Sequence, residues 1–397
     1  MEYQKYLLRD IGDIVSGATP KTAIAENFGG DIPWLTPADL SGYTQKYISC
    51  GARNLTKQGY DSCSTQIMPT GTVLFSSRAP IGYVAIAKNP ICTNQGFKSI
   101  VPKSFINSEF LYYQLIYLRK TIQDMGSGTT FKEISATKFG TVQVTVPPLP
   151  EQERIVSRIE ELFSQLDASV AELKTAKERL KVYRQAVLKE AFDKIENSVP
   201  MSKVATMIDP QPSHRTPPEV EGGIPYIGIG DIDYKHDRIM FESARKVSPM
   251  LLEEHRNRYK ITSGDFIMGK IGTIGKPFRL KLPQNYTLSA NVILIQHDSK
   301  KILPEFLFWQ FSSPLITTQL SDGAVATSQA AFGIKKARNL SIKICPLSTQ
   351  KVILGKLEEK MSVCDSIEKT VDTALQQAEA LRQSILKKAF EGGFYNE

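Results

Sequence analysis

The sequence predicts an α+β protein: two similar α/β modules separated by two long helices, the helices forming an antiparallel coiled coil within the chain as a pseudo-twofold tandem repeat. The first observation behind this is duplication. Pro148 to Phe192 aligns without a gap with Pro346 to Phe390, an offset of 198 in a chain of 397 residues, and shares Glu160-Glu161 with Glu358-Glu359 and Arg184-Gln185 with Arg382-Gln383. The second is a heptad period in both copies, since Ile155, Ile159, Leu162, Leu166, Leu173, Ala176, Leu180, Tyr183 and Val187 step by fours and threes, with Ser169 in the vacant place. Ile353, Leu357, Cys364, Ile367, Val371, Ala374, Ala378, Leu381 and Ile385 repeat the step, with Lys360 as the poor fit. The third is connectivity: parallel helices of about 60 Å would force the intervening module to bridge that whole length, whereas compact domains keep their ends close. Antiparallel pairing follows, and it implies one module at each end of the rod. Two separate dimerisation arms are the alternative.

The modules are read as 1–147 and 197–345, the helical segments as 148–196 and 346–397. In the modules, Asp31-Ile32-Pro33-Trp34-Leu35 answers to Gly223-Ile224-Pro225-Tyr226-Ile227, and Pro69 to Phe75 answers to Thr262 to Met268. Each second stretch is apolar and ends in a glycine-bearing turn, Ser76 to Gly82 or Gly269 to Gly275, which reads as strand, turn, strand. Asn94-Gln95-Gly96-Phe97 and Ser289-Ala290-Asn291-Val292 then precede apolar strands. A short helix follows, Glu109 to Gln114 matching Glu305 to Gln310; its aromatics at helical spacing read as core, with base stacking as the alternative. Polar loops at Gly126 to Lys132 and Asp322 to Gln329 lead to alternating strands, Val142 to Val146 and Leu340 to Ile344, that feed the long helices. Pro150 suits a first helical turn, Ser348 or Thr349 a cap, and Gly392-Gly393 a stop.

Composition is that of an ordinary globular protein, 41% hydrophobic and 23% charged, which excludes disordered and collagen-like classes. No signal-peptide pattern opens the chain and no apolar run reaches 18 residues, so the expected place is the cytosol. Five cysteines without C-x-x-C spacing suggest buried free thiols, and four histidines without ligand spacing suggest no metal. Charge is more informative when divided. Residues 1–147 hold 14 Lys+Arg against 10 Asp+Glu (+4), and 197–345 hold 19 against 13 (+6), while each helical segment carries −1. The surplus lies in the modules, as expected of two polyanion-binding units on a neutral scaffold.

Enzymatic constellations are not found. Gly269 to Gly275 with Lys276 is one residue too long for a phosphate loop and is followed by Pro277 in place of a hydroxyl residue; there is no G-x-G-x-x-G after a strand and no aromatic N-P-P-[FY] or D-P-P-[FY] tetrapeptide. Two readings stay open beside a recognition protein: an architectural or orphan sequence-specific DNA-binding protein, and a nuclease or methyltransferase of unrecognised site.

Pro147-Pro148-Leu149-Pro150-Glu151-Gln152 at a helix start, and the Arg-Gln-x-[VI]-Leu-Lys-x-Ala-Phe endings at 184–192 and 382–390, resemble the specificity subunit of type I restriction-modification systems. The resemblance covers the whole chain; the second copy departs from it as Cys345-Pro346-Leu347-Ser348-Thr349-Gln350. It implies two target-recognition domains and two spacer helices, and no catalysis or cofactor in this chain. Each domain would read half of a split double-stranded DNA target with a fixed gap. Two methyltransferase subunits would dock on the helices and modify adenine at N6 with S-adenosylmethionine, and restriction/translocase subunits using ATP and Mg can join.

Base-edge hydrogen bonds give sequence and phosphate contacts give position, so polar side chains on long loops are the expected readers. In the first module these are Ser76, Ser77, Arg78, Asn94, Gln95, Lys98, Ser127, Thr129, Thr130 and Lys132. In the second they are Lys270, Thr273, Lys276, Ser289, Asn291, Thr327, Ser328, Gln329, Lys335 and Lys336. Val156, Phe163, Val170 and Leu188, and Val363 in the second copy, lie beside the expected seam and are candidates for the subunit interface.

Overall fold

The structure is a computed structural model that describes residues 4–128, 132–213, 215–271, 274–323 and 332–394. In the first module, β1 (Gln4–Leu7), β2 (Gly12–Ser16), β3 (Tyr47–Ile48), β4 (Val73–Ser77), β5 (Ile81–Ala87) and β6 (Lys98–Pro102) precede helix α1 (Ser108–Tyr117). Strand β7 (Gln143–Val146) then runs into the long helix α2 (Leu149–Asp193). Five strands form one sheet in the order β2-β6-β4-β5-β3, in which only β3 is parallel to its neighbour. β1 pairs antiparallel with β7, Gln4 opposite Val146, so the start of the module is tied to the strand that enters the helix.

The second module repeats this framework. After β8 (Ser198–Pro200), the strands β9 (Ala205–Ile208), β10 (Phe266–Gly269), β11 (Pro277–Arg279) and β12 (Val292–His297) make an antiparallel sheet in the order β9-β12-β10-β11. Helix α3 (Pro304–Phe311), strand β13 (Ser341–Lys343) and helix α4 (Leu347–Phe390) complete the copy, with β8 paired to β13 as β1 is to β7. Ser348 and Thr349 therefore fall inside the first turn of α4 and do not precede it. Gly392 ends the helix in the left-handed region at φ +95°, while the Gly393 N–H reaches back to the Lys388 carbonyl at 2.8 Å.

Two compact units emerge, each with one module and one half of each long helix: 1–173 with 373–397, and 174–372. Within the first, Phe110 and Tyr113 of α1 are buried against Ile155, Val156 and Ile159 of α2 and Ile385, Leu386 and Phe390 of α4. Within the second, Phe306 and Phe311 of α3 join Val187, Leu188 and Phe192 of α2 and Leu354, Leu357 and Met361 of α4. The aromatics of both short helices are thus core. In each unit the pairing is antiparallel, Asp167 meeting Arg382 in the first, and Lys177 meeting Asp372 and Glu190 meeting Lys360 in the second.

The seam follows the expected one at most of its positions, Ile155 and Leu162 included, and departs from it at six. The covered stripe on α2 runs Val156, Ile159, Phe163, Leu166, Val170, Leu173, Lys177, Leu180, Arg184, Val187, and on α4 it includes Leu354, Leu357, Met361, Cys364, Val371 and Ala378. Ser169, Ala176, Lys360 and the large side chains of Tyr183, Ile367 and Leu381 face solvent instead. The physical reason is ionic. Lys177 lies 2.5 Å from Asp372, and Arg184 lies 2.7 Å from Asp365 and 2.9 Å from Glu368, so charged residues that hydropathy places outside the seam occupy it.

This corrects the interface candidates. Val156 is buried in the seam, Phe163 sits edge-on to Tyr113 with the Arg382 guanidinium 4.9 Å from its ring centre, and Val170 is half-buried on the same stripe. Leu188 is buried in the core beneath the second module. Val363, 55% exposed, keeps the free surface a partner would need. Of the cysteines, Cys92 and Cys364 are buried and Cys50 is exposed, all three as free thiols.

The proline-rich helix start has its own joint. Gln152, fully buried, accepts the Asn107 N–H (2.8 Å) and donates to the carbonyls of Phe105 and Pro147 (2.9 Å each). Gln350 repeats all three bonds with the Leu303 N–H (2.8 Å) and the carbonyls of Lys301 (3.0 Å) and Cys345 (2.8 Å).

Candidate nucleic-acid interface

Three loops converge in each module because the sheet strands that carry them are neighbours. In the first module the turn after β4, the loop before β6 and the loop from Gly126 are held together by main-chain bonds: Ser77 N–H to the Gly96 carbonyl (2.7 Å) and Ile134 N–H to the Ser77 carbonyl (3.0 Å). Ser127 and Glu133 exchange N–H···O bonds of 3.0 and 2.9 Å at the neck of the third loop. The second module uses the same bonds, Lys270 N–H to the Asn291 carbonyl (2.8 Å) and Phe332 N–H to the Lys270 carbonyl (2.9 Å). The convergence belongs to the backbone, so it survives changes of loop sequence.

Within this frame Arg78 and Lys98 both approach the Glu133 carboxylate, at 3.5 and 3.9 Å. Arg78, Gln95, Ser127 and Lys132 present polar atoms at the surface. Several candidates do not, and these are corrections. Ser76 and Ser77 are fully buried; the Ser76 hydroxyl donates to the Pro80 carbonyl (2.7 Å) and accepts the Tyr83 N–H (2.8 Å), so it closes the turn. Lys98 is buried with its ammonium donating to the Gln95 carbonyl at 3.3 Å; burial holds its pKa below the usual lysine value, Glu133 opposing and Arg78 adding to the shift. Asn94 accepts the Gly96 N–H at 2.9 Å and so shapes its own loop.

In the second module, Ser289 is buried and donates to Asn291 Oδ1, which also takes the Ile229 N–H at 3.2 Å; both serve the turn. Lys270 is half-buried against Asp209 at 2.9 Å. Exposed cations remain at Lys276, whose ammonium stands 4.0 Å above the Tyr234 ring, and at Lys335 and Lys336, the latter donating to the Gly323 carbonyl at 2.6 Å. Thr129, Thr130, Thr273, Thr327, Ser328 and Gln329 lie outside the described residues.

A fourth segment joins each cluster and was missed from sequence. Thr19 hydrogen-bonds Gln95, and the Ala18 N–H meets the Thr93 carbonyl at 3.0 Å. In the second module Asp209 pairs with Lys270, and buried His255 holds Gln211 at 2.7 Å. The signal was present: a proline-bearing polar stretch follows the first sheet strand in both copies, Gly17-Ala18-Thr19-Pro20-Lys21 and Asp209-Pro210-Gln211-Pro212.

Among the described residues the surface so built offers cations, amides and hydroxyls without a grouped set of metal-binding side chains. Such a surface can bind a polyanion and donate to base edges. Arg78→Ala is expected to cost about 1–3 kcal/mol at one base position only, while Lys132→Ala weakens all duplexes alike and lowers the salt slope by about one. Titration of specific and random duplexes at several salt concentrations checks both; equal losses on the two kinds of DNA would remove Arg78 from the readers.

The chain is similar to known proteins along its length. The family model described as type I restriction modification DNA specificity domain matches residues 1–178 and 212–377. The EcoBI specificity subunit of Escherichia coli is 27% identical over 410 residues, covering 96% of this chain and 84% of that one, and the EcoKI specificity subunit of strain K12 is 27% identical over 369, covering 86% and 77%. The MjaIX specificity subunit of Methanocaldococcus jannaschii reaches 47% over 154 residues, 38% of this chain and only 35% of its own length. Among solved structures, a chain described in work on complex assembly and conformational transition of the type I R-M system has a TM-score of 0.73 at 17% identity, covering 98% of both chains. The HsdS subunit from Thermoanaerobacter tengcongensis has a TM-score of 0.54, also at 17% identity, covering 98% of this chain and 97% of that one. At such identity these likenesses establish the fold.

Proposed function

The chain belongs to the type I restriction-modification DNA specificity family, and from that premise we propose that its two modules read the two halves of one gapped double-stranded DNA target. The observation that carries this reading is the repeated loop frame: the same main-chain bonds gather corresponding loops in both modules, and the surplus of positive charge lies in those modules. Recognition is this subunit's part of the work, and catalysis belongs to its partners.

The partners follow from the family. Two adenine-N6 methyltransferase subunits using S-adenosylmethionine dock on the helices, and restriction/translocase subunits bring the need for ATP and Mg. What supports docking on the helices is a groove of about 800 Å³ in the second unit, between the end of α2 and the start of α4, where Tyr183, Ile353 and Val363 alternate with Glu190, Lys356 and Glu359. Such a mixture of apolar and charged groups suits a protein partner better than a small ligand.

The chain incubated alone with DNA, S-adenosylmethionine, ATP and Mg should neither methylate nor cleave; co-expressed with the neighbouring methyltransferase gene, it should direct adenine methylation to one bipartite sequence. Methyl transfer or cleavage by the purified chain would overturn the reading, as would methylation without a split motif.

A further inference from the structure

The repeat keeps one pair of carboxylates in both copies, Glu109 with Glu160 and Glu305 with Glu358. In the first unit the Lys46 ammonium, on the segment leading into β3, bridges Glu109 in the first turn of α1 and Glu160 of α2. Tyr47 donates to Glu109 at 2.6 Å, Tyr113 donates to Glu160 at 3.4 Å, and the ammonium lies 5.8 Å from the Tyr113 ring centre. Burial alone would lower the Lys46 pKa, yet the two carboxylates raise it; the Glu109 pKa falls against its own burial for the matching reason.

In the second unit the corresponding carboxylates are Glu305 and Glu358, and among the described residues neither forms an ion pair; Arg279 of β11 feels both only at longer range. Its guanidinium sits 3.8 Å above the Phe308 ring, in the place where the first module has Tyr112. Burial pulls the Arg279 pKa down, and Glu305, Asp237 and Glu358 oppose it. Lys46 and Arg279 have no counterpart relation in the repeat. The carboxylate pair is common to both copies, one member on the module's short helix and the other on the long helix, and among the described residues only the first copy closes it with a cation.

We propose that this clamp positions the first reading module on its long helix, fixing the angle at which the module stands and hence the phase in which it meets its half-site. The proposal rests on the DNA-reading function and adds the residues that set geometry: Lys46 with Glu109 and Glu160. They are positioning residues and touch no base. A pair of charges in a half-buried place holds direction better than an apolar contact, because the ammonium must satisfy both oxygens at once.

The test is selection of bound sequences from a randomised DNA duplex library by the full chain, read as half-site sequences and as the distribution of gap lengths. The wild-type chain should return two half-sites with one gap. Lys46→Met should return the same half-sites with a broadened gap, discrimination between adjacent gap lengths falling at least about fivefold, and Lys46→Arg should restore the single gap. A merely structural role would weaken binding to every sequence without widening the gap. An unchanged single gap in folded Lys46→Met overturns the proposal. If that variant does not fold, Glu160→Gln decides by the same reading, and failure of both to fold overturns it as well, since the contact would then hold the module together and not its angle. A wild-type chain that selects no bipartite motif counts against the reading function instead.

Discussion

Exchanging residues 1–147 for the first module of another family member is expected to replace one half of the methylated target and leave the other half untouched. The first module has its own cores: Phe75, Ile100, Leu111 and Phe139 in one cluster, and Leu35, Leu74, Ala85 and Phe97 in another. The second module is built around Ile227, Phe278, Tyr286 and Leu294 and around Phe266, Ile293 and Phe306. Among the described residues, none of one module belongs to a core cluster of the other, so replacing one module leaves the other's described core in place. The effect is large, because each mismatched base pair costs about 1–3 kcal/mol and a half-site holds several. Sequencing of methylated adenines after co-expression with the methyltransferase reads the outcome. Simultaneous change in both half-sites would mean that the modules do not read independently.

Inserting one heptad into each long helix, after Lys177 and after Thr373, is expected to lengthen the gap or to weaken binding strongly. The two sites suit one another: Lys177 pairs with Asp372, so the insertions fall at the same level of the antiparallel pair, near where the chain passes from one compact unit to the other. Seven residues keep the stripe in phase and add about 10.5 Å. Along B-form DNA that is about 3 base pairs, and these turn the second half-site by about a third of a turn. Binding to duplexes with the gap varied one base pair at a time measures the response. A folded variant that prefers the original gap at undiminished affinity would show that the helices do not measure spacing.

The long helices were legible because their signals are local: Pro150 in the first turn, the glycine pair after Phe390, and a repeat without gaps. A minority of the seam was not, since apolar counting selects Ala176 and Tyr183, whereas Lys177 and Arg184 enter the stripe through partners some 180 or more residues away. Loop membership of the candidate readers was legible, but residue type does not say which way a side chain points. Ser76 and Ser289 look like donors to a ligand and instead close their own turns. Lys46 could not be paired with Glu109 and Glu160 from sequence at all, because the repeat relates the carboxylates and supplies no counterpart of the cation.

The glutamine joint at each helix start carries a genetic consequence. Gln152 and Gln350 bond only to main-chain N–H and C=O groups of the strand-to-helix and loop segments they meet. A joint made in this way places no demand on the side chains across it, provided the backbone follows the same path. Recombination within the codons for Pro147 to Gln152 therefore inherits this main-chain joint from any module whose backbone follows the same path, without compensating substitutions at the glutamine itself.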